Sequence, residues 1–296
     1  LDFQEQTNMA IRPRRSALYM PGANARALEK AKGLDSDVLL LDLEDATAPD
    51  AKEAARAQVL AAIAGGGYGH RELVIRTNGL DTQWGHADLV AAATSGADAV
   101  LIPKVDSAEG VRMADRVLRC AGAPDSLRLW VMMETPRAML AAADIAGACP
   151  RLECLVMGTS DLTKDLGALN TPDRLPMITG LGLSLLAARA FGLAVLDGVH
   201  VDLEDEVGFA TACRQGRELG FDGKTLIHPK QLAIANAAFA PTVAELDRAR
   251  RIIAAHAEAV AAGKGITLVD GKLVEALHVE TARRTVALGE AVAARG

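Results

Sequence analysis

Short runs rich in β-branched and aliphatic residues alternate along the chain with longer stretches whose apolar positions recur at helical spacing. The runs Ser16–Pro21, Val38–Asp45, Glu72–Asn78, Ala99–Val105, Arg128–Glu134, Cys154–Asp161, Leu193–His200 and Asp222–His228 predict strands. Several are near-continuous apolar segments, the pattern of parallel strands covered on both faces. Between them, Ala23–Lys32, Ala51–Ile63, Ala87–Thr94, Ala108–Cys120, Pro136–Ala146, Arg174–Phe191 and Glu204–Leu219 predict amphipathic helices. Asp50 and Glu53 have the spacing of a capping box at the second of these.

Joined by right-handed crossovers, such units over about 230 residues match the size and order of a (β/α)₈ TIM barrel, the α/β fold expected here. The alternative is a doubly wound open sheet, but no G-x-G-x-x-G follows the first strand. Gly65-Gly66-Gly67 reads as a flexible loop and not as a phosphate cradle. Beyond Pro229 the pattern becomes Ala-rich and helical over Gln231–Phe239, Val243–Ala262 and His278–Ala294, with one strand-like interruption at Gly265–Val269. The expected division is a barrel catalytic domain over 9–235 and a C-terminal helical extension over 236–296, serving as lid or oligomer contact.

Half of the 296 residues are apolar and 24% are charged, enough for a large core. A net charge of −6 and 3% aromatic residues offer nucleic acid neither a basic surplus nor a stacking platform. Ala138–Ala143, the longest apolar run, is far below the about 20 residues that span a bilayer. Arg12, Arg14, Arg15 and Arg26 near the start are not followed by the apolar core of a secretory signal. Leu1–Asn8 is patternless, precedes Met9, and reads as an expression-tag remnant. Cys120, Cys149, Cys154 and Cys213 form no C-x-x-C pair and are expected to be reduced thiols of a cytoplasmic protein.

Barrel enzymes place their chemistry at the C-terminal ends of the strands. Here those ends carry Glu44, Asp45, Arg76, Lys104, Glu134, Asp161, Lys224 and His228, with Asp197 and His200 on the seventh strand. Charges so dense are costly unless they are paired or bound to metal. Glu134 and Asp161 close successive strands, and two oxygen ligands without a Cys/His cluster suit Mg²⁺, with Mn²⁺ as a substitute. Alternatively Asp161 caps the next helix and Glu134 pairs with Lys104. Glu44 and Asp45 either orient the metal's waters or act as a general base, or are solvated carboxylates ahead of a helix. The similar letters of Val201–Asp205 lie beyond their strand and read as helix-start charge.

Arg76 suits capture of a carboxylate or of a developing enolate, or a structural pair with Glu44 or Asp45. A Schiff-base role for Lys104 needs a lowered pKa, whereas nearby carboxylates raise it, so charge balance is expected. His200 and His228 stand alone, and hydrogen-bonded structural roles are expected for both. Gly158, Thr159 and Ser160 offer backbone N–H groups at a helix start to a substrate carboxylate.

The segments Arg15–Gly22, Asp42–Ala46, Ile102–Val105, Met133–Thr135, Gly158–Leu162 and Gly223–Pro229 make the chain resemble the citrate lyase β-subunit-like group of the HpcH/HpaI aldolase superfamily. That group includes malyl-CoA and citramalyl-CoA lyases and a malyl-CoA thioesterase. The resemblance implies a Mg²⁺-dependent barrel acting on short 3-hydroxyacyl-CoA esters, as a homotrimer or hexamer. It matches Glu134 and Asp161 to metal ligands, Arg76 to the enolate- and carboxylate-binding arginine, and Glu44 and Asp45 to the acidic pair behind the metal. Tyr19 and Lys30 fall where relatives contact CoA, while Asn24 replaces an arginine common in the lyases. In the tail, Gly271–Glu275 departs from the usual Gly-Lys-Met-(Ile/Val)-Asp, whose aspartate is the acid/base of C–C cleavage in a neighbour's site. Glu275 is one methylene longer, and the sequence around it looks more like the thioesterase branch. The implied activity is retro-Claisen cleavage to acetyl-CoA and a 2-keto acid. Hydrolysis of the same thioester is the alternative, and a carrier-dependent citrate lyase subunit or a Schiff-base aldolase through Lys104 or Lys224 is more remote.

Overall fold

In the computed structural model, which describes residues 11–295, parallel strands close into a barrel in chain order. They are β1 (Ser16–Pro21), β2 (Val38–Asp42), β3 (Glu72–Arg76), β4 (Ala99–Ile102), β5 (Arg128–Met133), β6 (Leu152–Met157), β7 (Ala194–Asp197) and β8 (Gly223–Leu226), with β8 pairing back onto β1. The segment Leu1–Asn8 and the first residues of the expected 9–235 domain lie outside the described residues. Side chains alternate across the wall, as strand geometry requires. Ala17, Val38, Leu40, Val74, Ala99, Leu101, Trp130, Met132, Cys154, Val156 and Leu196 fill the barrel interior. Leu39, Leu41, Leu73, Ile75, Val131, Leu155 and Val195 face outward into a second apolar layer beneath the helices.

Those helices are α1 (Ala25–Ala31), α2 (Lys52–Gly65), α3 (Gly85–Ala92), α4 (Ala108–Cys120), α5 (Pro136–Leu140), α6 (Ala142–Ala146), α7 (Thr159–Asp165), α8 (Ile178–Ala190), α9 (Glu206–Leu219) and α10 (Leu232–Phe239). The expected capping box at Asp50 does not form. Pro49 starts a 3₁₀ turn over Pro49–Ala51, so Ala51 becomes the N-cap of α2 without a side-chain cap. The helix predicted over Pro136–Ala146 breaks at Ala141, and Asp161 lies in a helix, α7, that the apolar pattern hid inside a strand. Asp205 caps α9 through the Gly208 N–H (2.8 Å), in line with helix-start charge.

β2 to β6 stop short of their predicted ends, at Asp42, Arg76, Ile102, Met133 and Met157, which leaves Glu44, Asp45, Lys104 and Glu134 in loops and Asp161 in α7. At the opposite, N-terminal end the interior is closed by an ion pair. Arg14 donates from Nε and Nη2 to both oxygens of Glu72 (2.7 Å each), with Glu153 at 3.1 Å and the Trp130 ring 4.9 Å from the guanidinium carbon.

The chain divides into two compact units. One runs from Arg14 to Phe239 and includes α10, which packs on α9, β1 and β8. The other contains the tail from Ala240 onward: α11 (Val243–Ala261), β9 (Thr267–Val269), β10 (Lys272–Val274) and α12 (Ala276–Ala293). The single strand-like interruption expected there is a two-stranded antiparallel hairpin. Its turn holds Asp270 and Gly271 at φ of 52° and 72°, the left-handed pair that a tight hairpin turn demands. Val269, Val274 and Val279 form a small core with Ile252 and Ile253.

The cysteines at 120, 149, 154 and 213 are unpaired. Among the described residues no helix is long and apolar enough to cross a membrane. Removing one partner of a buried ion pair strands the other charge. Glu72→Ala is therefore expected to lower unfolding free energy by about 3 kcal/mol, read from urea denaturation, with Glu153 limiting the loss.

Candidate active site

Strand parity places the first two site residues. Asp42 and Arg76 are the last residues of β2 and β3, paired in register and directed inward like Leu40 and Val74. Arg76 donates from Nε to Asp42 Oδ1 (2.7 Å) and from Nη2 to Asp42 Oδ2 (2.6 Å), a bidentate grip. Its remaining edge, Nη1, reaches Glu44 Oε2 at 2.7 Å and Asp45 Oδ2 at 3.1 Å. Burial opposes the guanidinium charge, but Tyr19, Asp42 and Glu44 hold its pKa well above the ordinary value. Asp42 also accepts the Glu44 N–H (2.8 Å), shaping the turn that presents Glu44 and Asp45. Lys52 Nζ braces that turn from behind through the Leu43 and Glu44 carbonyls (2.8 and 2.7 Å). Asp42 was missed as a site residue because it ends an apolar run; its shared parity with Val38 and Leu40 was the available signal.

Glu134 follows β5 and is only 2% exposed. Its Oε1 accepts the Lys104 N–H at 2.6 Å, and its Oε2 has no hydrogen bond among the described residues. Burial pushes its pKa up to about 7; the Glu44 and Asp161 charges raise it too, while the Lys104 N–H and Arg76 work against them. Asp161 occupies the first turn of α7, one-third exposed, with Lys164 beside it at 3.3 Å. Gly158 makes this arrangement possible, because a β-carbon there would fall on Glu134 Cβ and Oε2. Its N–H is bonded to Met133 O (3.0 Å), so Gly158 offers space and not the substrate donor expected of it. Thr159 opens α7, where its carbonyl accepts the Thr163 hydroxyl (2.6 Å).

Tyr19 lies in the barrel mouth with its ring centroid 4.6 Å from the Arg76 guanidinium carbon and its hydroxyl toward Met132 Sδ (3.9 Å). It packs on the apolar residues that fill the barrel, whereas Lys30 is exposed in the last turn of α1. Asn24 caps α1 by accepting the Ala27 N–H (3.1 Å). Lys104 Nζ donates to Glu44 Oε1 (2.6 Å). Partial burial opposes its charge, yet Glu44 raises its pKa, which removes the neutral amine that Schiff-base chemistry needs.

Lys224 and Asp197 were expected at this mouth but face outward, since Leu196 takes the inward parity on β7. They pair behind the wall at 3.0 Å with Arg174, 2.7 Å from Asp197. His228 Nδ1 accepts the Lys230 N–H (3.1 Å), a structural role as expected. His200 packs against Phe209, its pKa lowered by burial and by Lys224. Glu275 belongs to the C-terminal unit, where it opens α12 and donates its N–H to His278 Nδ1 (3.1 Å).

In the barrel mouth Asp42, Glu44, Asp45, Glu134 and Asp161 outnumber Arg76 and Lys104, with Lys52 and Lys164 at the edges. The imbalance, the unbonded Oε2 of the largely buried Glu134 and the nearby Asp161 fit a cation. Among the described residues no cluster of three or more Cys, His, Asp or Glu is disposed to hold a metal. Two carboxylates that leave room for waters and substrate oxygens suit magnesium and not the four protein ligands of structural zinc.

Fold and mouth together define an α/β barrel of the TIM type whose strand ends carry an acidic cluster around a buried arginine. The chain belongs to the HpcH/HpaI aldolase/citrate lyase family, whose pattern matches residues 15–229. It is 55% identical over 282 residues to a (3S)-malyl-CoA thioesterase of Cereibacter sphaeroides, covering 95% of this chain and 96% of that one. It is 35% identical over 284 residues to the citrate lyase subunit beta of Escherichia coli, covering 94% of each. The solved structure of the protein CitE from Mycobacterium tuberculosis in complex with magnesium, acetoacetate and coenzyme A superposes with a TM-score of 0.76. That pair is 28% identical, and the match covers 95% of this chain and 99% of the other.

Crowding Glu134 should disturb the cation site directly. Gly158→Ala is expected to weaken Mn²⁺ binding roughly 10- to 100-fold, measured by paramagnetic resonance titration, with a lowered melting temperature because the added methyl also meets Glu134 Cβ.

Proposed function

We propose that this protein is a Mg²⁺-dependent enzyme that hydrolyses the thioester of a short 3-hydroxyacyl-CoA of the malyl-CoA type, yielding the free acid and CoA. The observation that carries the chemistry is Glu134, buried, with one oxygen tied to Lys104 and the other unbonded beside Asp161 and within electrostatic reach of Arg76. The 55% likeness to a thioesterase over nearly the whole chain moves hydrolysis ahead of the C–C cleavage that the sequence reading put first.

In this reading Glu134 and Asp161 hold the ion. Bound Mg²⁺ supplies Lewis-acid polarisation of the substrate's oxygens. Asp45, whose side chain is 63% exposed and whose Oδ1 has no hydrogen bond among the described residues, takes a proton from the attacking water. Glu44 is less suited as base, because Lys104 and Arg76 engage both of its oxygens. Water adds to the thioester carbonyl carbon, and the positive charge of the Arg76 guanidinium stabilises the charge that grows on the oxygen. The C–S bond then breaks, and CoA leaves as the thiolate to collect the proton.

The 35% likeness to citrate lyase subunit beta supports a second reading with the same residues. There the base removes the 3-hydroxyl proton, the C2–C3 bond breaks, and Arg76 stabilises the acetyl-CoA enolate while glyoxylate or pyruvate leaves. Glu275, which replaces the aspartate of the lyases, weighs against it, since misplacing a catalytic group by about 1 Å costs on the order of 10²-fold in rate.

With malyl-CoA and Mg²⁺, thiol release without glyoxylate is expected, and EDTA should abolish it. Glyoxylate formed in step with acetyl-CoA would instead establish the lyase. Cation binding should also depend on pH. Glu134 must lose its proton to bind the ion, and its raised pKa of about 7 sets the window. Mg²⁺ affinity, followed by calorimetry, is expected to be flat above pH 8 and to fall about tenfold per unit below pH 7, with proton release on binding.

A further inference from the structure

We infer that Lys104 is a positioning residue that couples the cation-binding carboxylate to the arginine, its backbone N–H orienting Glu134 and its ammonium, through Glu44, orienting Arg76. The inference rests on the reading of Glu134 as a cation ligand.

Lys104 follows β4 in the left-handed region, at φ 53°. Among the described residues only Arg174 and Asp270 share that feature without being glycine. A long side chain is unfavourable there, and such backbone persists only where its surroundings over-determine it. Here they do. Lys104 N–H points at Glu134 Oε1 (2.6 Å), and the same loop is fastened again by the Thr135 hydroxyl, which donates to Asp106. The side chain departs the other way, and Nζ donates to Glu44 Oε1 (2.6 Å).

Glu44 uses its second oxygen on Arg76 Nη1 (2.7 Å), and Arg76 is locked on its far edge by Asp42. An unbroken chain of contacts therefore runs from Glu134 through Lys104 and Glu44 to Arg76. The ammonium has a second effect. Glu44 and Glu134 repel one another, and Lys104 holds Glu44 on the arginine so that it does not turn toward the cation.

The two halves of the device separate by mutation, because one is backbone and the other side chain. Lys104→Met and Lys104→Gly both remove the ammonium; glycine also accepts the left-handed backbone and so preserves the fold. In both, Mn²⁺ affinity is expected to hold at or above the wild-type value, because a cationic neighbour is gone and Glu44 is free to turn toward the ion, while kcat falls by roughly tenfold or more through loss of Arg76 alignment. A crystal structure of Mn²⁺-loaded Lys104→Met should show Glu44 released from Arg76 and turned toward the ion. Lys104→Cys alkylated with 2-bromoethylamine restores an ammonium at nearly the same reach and should recover kcat, with alkylated wild type as control.

Wild-type kcat in Lys104→Met with Glu44 unmoved overturns the inference. So does an alkylated cysteine variant no more active than the untreated one, or Mn²⁺ binding lost in Lys104→Gly. Failure of the underlying reading looks different, with Mn²⁺ binding unaffected by Glu134→Gln; the Lys104→Met crystal structure then still decides whether the ammonium holds Glu44 on Arg76.

Discussion

The bidentate bond between Asp42 and Arg76 is the constraint around which the barrel mouth is organised. A guanidinium at the inward end of β3 is taken out of water, and only a carboxylate with matching geometry offsets that loss. Register supplies one, since β2 and β3 bring residues 42 and 76 side by side. With two of its nitrogens committed to Asp42, Arg76 has a single edge left for chemistry, and that edge faces the turn after β2. β3 carries the same solution at its other end, where Glu72 meets Arg14 beneath Trp130. Between the two pairs the barrel is apolar, so the charges are confined to its ends.

From this follows the electrostatic character of the mouth. Securing Arg76 brings Asp42, Glu44 and Asp45 close together, and Glu134 and Asp161 add to an existing excess of negative charge. Glu134 registers that excess in its raised pKa. In the proposed reading, a divalent cation on Glu134 and Asp161 would relieve this repulsion, since Mg²⁺ needs only one or two protein carboxylates. The absence of side-chain bulk at Gly158 lets the buried carboxylate approach α7. Space, charge and register are thus separate contributions to one site, and each comes from a different strand.

Much of this was legible in the chain. Continuous apolar runs announced parallel strands, and the charged residue closing each run announced the mouth. What failed was parity and termination. Reading β2 through to Asp45 obscured the fact that Asp42 shares the inward face with Val38 and Leu40. Counting the ends of β7 and β8 at the rim put Asp197 and Lys224 among the mouth charges, whereas Leu196 on β7 and Thr225 on β8, the latter opposite Ala17, take the inward positions and turn them to the helices. α7 was absorbed into a strand because Met157 and Leu162 flank a polar stretch too short to show helical spacing. In the tail, Asp270-Gly271 was a legible hairpin signal, and weighing it would have revealed the second strand. The left-handed backbone of Lys104 has no sequence signature, since lysine is a poor guide to positive φ.

Hydrolysis and carbon–carbon cleavage place the same demand on this mouth. Both develop negative charge on the thioester oxygen, once as a tetrahedral adduct and once as an enolate, and both are served by a fixed guanidinium and a cation. In the proposed reading Glu134, Asp161 and Arg76 serve either outcome, in keeping with a family whose members include a protein named for a citrate lyase subunit and one named for a thioesterase. The choice must lie with the group that moves the proton and with access of water to the carbonyl carbon. Asp45 is the acidic side chain of the cluster open to solvent, and Glu275 differs from the lyase pattern by a methylene. In the proposed reading, changes at such positions would alter the reaction while leaving Glu134, Asp161 and Arg76 in place, so divergence within this fold would cost little of the buried architecture that sustains it.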